Sequence, residues 1–256
     1  MNKENNQGYV NTKIDQKIAE IEFYHPSHNS LPGHLLADLA AQIVDAGMDS
    51  DVMVILLKSA GERTFCAGAS FDELISIADG VSGKKFFMGF ANVINAIRTC
   101  GKLVIGRVQG KAVGGGVGLL SATDYCFATK YAAVRLSELA VGIGPFVIGP
   151  AVSRKTGLTA FSQMALSPNI WQSSKWAKDS GLYAEVFEST EDMDNHIQLV
   201  LKELTSYNPE ALNNLKKVFW EGTEYWSKLL EERAALSGQL ILSDFSKNTI
   251  SAFKNR

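Results

Sequence analysis

Three consecutive glycines, Gly114 to Gly116, stand between the apolar run Leu103-Val104-Ile105 and a short apolar segment that reads as a helix beginning near Gly115. A strand, a tight glycine loop and a helix start leave few folding options. Glycine lets the loop take positive φ and approach a ligand closely. The first amides of the following helix have no intrahelical carbonyl to bond, so they can hold an anion. The pattern alone is compatible with a phosphate cradle or with simple close packing, and it needs a partner elsewhere in the chain.

That partner lies upstream. Val52 to Leu57 is a continuous apolar run of strand length, as expected for a strand covered on both faces. After it, Ala67-Gly68-Ala69-Ser70 supplies small side chains and a bend, and Phe71-Asp72-Glu73-Leu74 opens a helix, making a second strand-loop-helix unit. Before both, Gly8 to Ile14 and Lys17 to Phe23 read as a hairpin around Asp15-Gln16. Pro32 suits the first position of a helix reaching about Met48, whose apolar face is Leu35, Leu36, Leu39, Ile43 and Val44. A helix over about 83–99 leads back to the strand before the glycines. Tyr125 to Ala128 and Ala133 to Leu136 read as further short strands. The alternation places the fold in the α/β class, with functional loops where strands end.

Beyond Ser137-Glu138 the chain turns helical, with helices expected over 146–155, 159–166 and 173–180, a short strand near 184–187, and helices over 191–205, 209–220, 224–238 and 244–253. The helix carrying Trp226, Leu229, Leu230 and Leu236 has enough apolar surface to cover the core or a neighbouring subunit. Residues 1–190 are therefore expected to form the core and residues 191–256 a C-terminal helical region.

Composition narrows the function. With 256 residues, 46% of them hydrophobic, and 25 basic against 27 acidic side chains, the chain can bury a large core and has no basic excess for nucleic acid. The N-terminal residues lack an apolar signal core, and no apolar run approaches the ~20 residues of a membrane span. A cytoplasmic location without membrane partners is the expectation. Three widely spaced cysteines indicate neither a disulfide framework nor a zinc site. His25, His28 and His34 lack ligand spacing and read as surface residues. Gly142-Ile143-Gly144 has Val147 where a dinucleotide fingerprint requires glycine, and there is neither a P-loop nor a G-x-S-x-G elbow.

Phe65-Cys66-Ala67-Gly68-Ala69-Ser70 with Glu73-Leu74, then Gly110 to Gly116, Ser137-Glu138 and Gly142-Ile143-Gly144-Pro145, resemble the crotonase superfamily of enoyl-CoA hydratases and isomerases in order and spacing. The resemblance extends over nearly the whole chain, including Asn29-Ser30-Leu31 and the helical tail. It implies a spiral of ββα units with a C-terminal helical region, assembled as a trimer or dimer of trimers. It also implies an acyl-CoA thioester substrate in which coenzyme A is the carrier, with no metal or redox cofactor.

Carried over motif to motif, the resemblance makes the amides of Ala69 and Gly115 an oxyanion hole. Ala67, Ser70, Phe71 and Gly114 border the thioester, and Glu138 is the acid/base. The chemistry is coherent. A thioester enolate concentrates charge on one oxygen, which two amides from separate turns stabilise. A glutamate in the apolar setting Leu136 to Val141 has its pKa raised toward a working range. An ordinary tight turn at Ala69 and a salt-bridged Glu138 are the plainer alternatives. Where hydratases of the superfamily carry a second glutamate, this chain has Gly118, and Phe146 occupies a position usually held by glycine. One carboxylate suffices to move a proton between carbons, so double-bond isomerisation is favoured over hydration or hydratase-lyase chemistry. Gly118 is expected to face the same cavity as Glu138, with close helix packing as the alternative. A non-catalytic interaction or RNA-binding relative is the reading from another class, and the acidic balance speaks against RNA.

Overall fold

The computed structural model describes residues 7–254. Strands β1 (Tyr9–Asp15) and β2 (Ile18–Tyr24) pair antiparallel around Gln16 and Lys17, which both take positive φ (47° and 66°). This mirror-image two-residue turn matches the right-handed twist of the strands it joins. Helix α1 spans Gly33–Met48. Pro32 precedes its first residue with extended backbone (ψ 162°) and accepts a hydrogen bond from the Leu36 amide. It is therefore the cap and not the first helical residue, one position off the expectation.

Strand β3 (Val54–Ser59) runs parallel to β2. The spiral then passes through β4 (Thr64–Cys66), α2 (Phe71–Ser76), α3 (Gly80–Thr99), β5 (Leu103–Val108), β6 (Lys111–Val113), α4 (Gly115–Ala122), β7 (Tyr125–Thr129) and β8 (Val134–Arg135), ending in a 3-10 turn at Glu138–Val141. After helices α5 (Gly149–Leu166) and α6 (Ser174–Asp179), strand β9 (Glu185–Phe187) completes a six-stranded sheet in the order β1-β2-β3-β5-β7-β9. The short strands β4, β6 and β8 make a second, parallel sheet. The three spiral turns from β3 to the 3-10 turn thus each contribute one strand to the large sheet, one to the small sheet and then a helix or helical turn. Strands β4 and β6 are missing from the sequence reading because three residues are too few to carry a periodicity, and Lys111 in β6 is exposed.

Both faces of the large sheet are covered. One packs against α1 and α3. On the other, Met53, Val54, Leu56, Leu103, Ile105 and Phe127 meet Met193, Ile197 and Leu201 of α7 (Thr190–Leu204) and Leu212 of α8 (Pro209–Phe219). Two-sided burial is why 54–57 is unbroken apolar sequence. Helix α5 comprises two helical segments that meet at the non-helical Gly157 (ψ 157°), close to the two helices expected over 146–155 and 159–166. It begins at Gly149 with Pro150 in its first turn and bends at Gly157 (φ 79°). Helix α9 (Trp226–Leu240) lies along α3, with Trp226 and Leu230 buried, and α10 (Asp244–Lys254) rests on α2 and the 3-10 turn. Among the described residues no helix is long and apolar enough to cross a membrane.

The helical tail is tied to the sheet by a buried charge. Asp124, after α4, accepts hydrogen bonds from the Val104 amide (2.7 Å), Lys216 Nζ (2.6 Å) and Trp220 Nε1 (2.8 Å). The Asp124 and Lys216 side chains are each 2% exposed. Removing one member of such a pair strands the other charge in the interior. Asp124→Ala is expected to cost about 3–5 kcal/mol in denaturant unfolding, and Lys216→Met added to it is expected to recover part of the loss.

Candidate active site

The turn after β4 is held open by its neighbours. Gly68 takes φ 90°, a conformation that a side chain would strain, and a Cβ there would lie 2.9 Å from the Val113 carbonyl and 3.6 Å from the Gly115 amide nitrogen. The two glycine turns therefore touch. The Gly68 carbonyl accepts from the Leu31 amide (2.8 Å), and the Ser70 amide donates to the Leu31 carbonyl (3.3 Å). Leu31 so engages the residues on either side of Ala69, whose own amide donates to nothing among the described residues. Buried Asn29 supports this segment, its Nδ2 donating to the carbonyls of Ala60 (2.8 Å) and Thr64 (3.0 Å).

The second turn repeats the arrangement. Gly114 (φ 52°, ψ −118°) donates its amide to the Arg135 carbonyl (2.9 Å), and its carbonyl accepts from the amides of Val117 and Gly118. The Gly115 amide, first of α4, is left without an acceptor among the described residues. It lies at the positive end of that helix.

Glu138 opens the 3-10 turn and lays its carboxyl against Gly114. A Cβ on Gly114 would stand 2.9 Å from Glu138 Oε1, so only glycine admits the carboxyl this close to the free amide. Oε2 is shut off from solvent and has no hydrogen-bond partner among the described residues. Burial pushes the carboxyl up to about 7, against the smaller opposing pull of nearby backbone amides and of Arg135. Two unpaired amides beside a carboxyl that titrates near neutrality can stabilise an oxyanion and carry a proton.

Of the residues singled out in the sequence, Ala67, Ala69, Phe71, Gly114, Gly115, Glu138 and Phe146 line one cavity, and Ser70 and Gly118 are not among its lining. Ser70 caps α2, its Oγ accepting from the Glu73 amide. Gly118 packs against Ile148: a Cβ there would meet the Ile148 side chain, with Ile148 Cβ at 2.6 Å. Ile148 itself lines the cavity and stands between it and Gly118. The expectation that Gly118 opens on the cavity is thus corrected to the packing alternative. The sequence reading missed Phe90, whose ring covers Gly115, and Ser237 of α9, both in the lining. Each belongs to a helix whose pattern marks only a buried face, and no motif surrounds them.

A family profile described as enoyl-CoA hydratase/isomerase matches residues 13–256. The chain is 26% identical to a peroxisomal Delta(3,5)-Delta(2,4)-dienoyl-CoA isomerase of Arabidopsis thaliana, over 96% of this chain and 95% of that protein. It is 27% identical to a short-chain-enoyl-CoA hydratase of Clostridium acetobutylicum, over 81% and 79%. The crystal structure of an enoyl-CoA hydratase from Bacillus halodurans superposes with a TM-score of 0.88 at 22% identity, covering 95% of this chain and 99% of that one, which establishes the shared fold.

Two outcomes follow from the geometry. Because folding raises the Glu138 pKa from 4.5 to about 7, the folded state binds the proton more tightly, and stability falls as pH rises through that window. Glu138→Gln is therefore expected to raise Tm relative to the parent at about pH 8, with the gain vanishing near pH 4, as read by thermal unfolding at both values. Gly118→Ala is expected to destabilise by about 1–3 kcal/mol through overpacking against Ile148, with Ile148→Ala in the same chain relieving the strain in denaturant titrations.

Proposed function

The chain belongs to the enoyl-CoA hydratase/isomerase family, and from that premise we propose that it shifts a carbon-carbon double bond in an enoyl-CoA thioester with one glutamate as the proton carrier. The observation that carries this reading is that Glu138 is the one titratable side chain among the described residues lining the cavity. Ile148 covers the position where a second carboxylate is expected in a hydratase. Membership of the family makes the chain a lyase or isomerase acting on acyl-CoA, and the single carboxyl favours the isomerase.

In the proposed reaction a 3-enoyl-CoA lies with its thioester oxygen between the Ala69 and Gly115 amides. The Glu138 carboxylate removes a proton from C2. The electron pair of that C–H bond forms a C1–C2 double bond, and the charge moves to the thioester oxygen, where the two amides stabilise it as it develops. Collapse of the dienolate makes the C2–C3 double bond, and C4 takes the proton back from the Glu138 carboxyl. The product is the 2-enoyl-CoA, with no net gain or loss of atoms. A pKa near 7 suits a group that must take and return a proton at neutral pH. Phe146, also in the lining, adds ring surface that helps to exclude water from the dienolate.

For this role Glu138 must start ionised, so kcat/KM is expected to rise with pH through about 7 and then level off. Glu138→Gln is expected to lower turnover by about 10²–10⁴ while CoA-thioester binding persists. In D2O the parent is expected to exchange α or γ protons of the substrate faster than it adds water. Efficient hydration of a 2-enoyl-CoA without that exchange would establish water addition in its place.

A further inference from the structure

Apart from Glu138, the cavity has two polar side chains, Ser137 and Ser237, in a lining otherwise made of hydrocarbon, aromatic rings and backbone. Ser137 keeps partial solvent contact, whereas Ser237, in the last turns of α9, is 2% exposed. A hydroxyl inside a helix ordinarily satisfies itself on the carbonyl four residues back. Others here do so: Ser121 donates to Val117, Thr156 to Val152, Ser162 to Leu158 and Ser251 to Lys247, at 2.8 to 2.9 Å. Ser237 makes no side-chain hydrogen bond among the described residues.

Its place in the cavity is imposed by the backbone. The next residue, Gly238, meets Gly83 of α3 so closely that a Cβ on either would lie 2.7 Å from backbone atoms of the other. This crossing presses α9 onto α3, whose Phe87 and Phe90 line the same cavity, and leaves Ser237 at its wall. Its hydroxyl has no protein partner and is not among the unpartnered atoms closed off from solvent, which among the described residues are Arg135 Nε and Glu138 Oε2, so it is reachable from the cavity and free to bond a ligand there. An all-hydrocarbon acyl group would bury it against carbon. An acyl group bearing its own oxygen would satisfy it, and a site so built discriminates against the analogue that lacks the oxygen.

We propose that Ser237 is a substrate-contacting, specificity-determining residue that recognises an oxygen substituent on the acyl chain, so that the preferred ligands are CoA thioesters of oxygenated acyl groups. The proposal rests on the acyl-CoA reading given above.

The test measures binding of butyryl-CoA, 3-hydroxybutyryl-CoA and 4-hydroxybutyryl-CoA by calorimetry, with the full chain and again in Glu138→Gln, which holds the thioesters without moving a proton. One of the hydroxylated thioesters is expected to bind about tenfold more tightly than butyryl-CoA, the worth of one hydrogen bond. Ser237→Ala is expected to abolish that preference while leaving the affinity for butyryl-CoA unchanged. Should Ser237→Ala fail to fold, Ser237→Cys keeps the volume with a weaker donor and is expected to lose the same preference. Equal affinity for all three thioesters in the parent, or a preference that survives in a folded Ser237→Ala, overturns the proposal and leaves the acyl-CoA reading standing. Failure of the parent to bind any of the three removes both.

Discussion

The active region depends on one close approach, the Glu138 carboxyl against the Cα of Gly114. A side chain at Gly114 would fill the space that the carboxyl occupies. Because Gly114 also takes a positive φ and passes its amide to the Arg135 carbonyl, the same residue frees the next amide and docks the strand that leads to Glu138. Gly68 brings the preceding spiral turn against Val113 in the same way. Three successive turns of the spiral therefore meet at backbone atoms, and the cavity they enclose is set by main-chain geometry before any long side chain is considered.

The electrostatics of the site come from what is laid over that junction. Glu138 lies only one residue from exposed Leu139, and a carboxyl in water would titrate in the ordinary range. Its pKa is raised because the carboxyl is buried, with Oε2 closed off from solvent and without a hydrogen-bond partner among the described residues. Helices α9 and α10 close over α3, α2 and the 3-10 turn, while Asp124, Lys216 and Trp220 lock α8 to the far side of the sheet. The tail thus closes one wall of the cavity, whereas Ala69, Gly115 and Glu138 all belong to the spiral.

The family uses one scaffold for several reactions, and the relatives named above include an isomerase and a hydratase. A fold of this kind supplies the paired amides, and the side chains around them decide which bond changes. In this chain those side chains are a single carboxyl, several phenylalanines, Ile148 in front of Gly118, and a serine on α9. Such differences hardly register in overall identity, so chains can share most of a fold while their cavities are lined differently.

Much of this was legible in the sequence because local rules fix it. The hairpin, the apolar strand over 54–57, the helix start after Ser70 and the two glycine turns each depend on neighbours in the chain. The resemblance added the order in which the turns belong together. The resemblance likewise singled out Ala69, Gly115 and Glu138, which share one cavity. What the sequence could not supply were relations between residues far apart in the chain. Strands β4 and β6 are too short to show a period and exist because they pair with each other and with β8. Gly118 carried the same letter whether it faced a cavity or a methyl group, and only the packing of α5 on α4 placed Ile148 against it. Ser237 sits in an unremarkable helical stretch, and it lines the cavity beside the point where Gly83 and Gly238 let two helices touch. Backbone preference is written in adjacent residues, whereas the burial, pairing and cavity exposure of a side chain are set by atoms from distant parts of the chain.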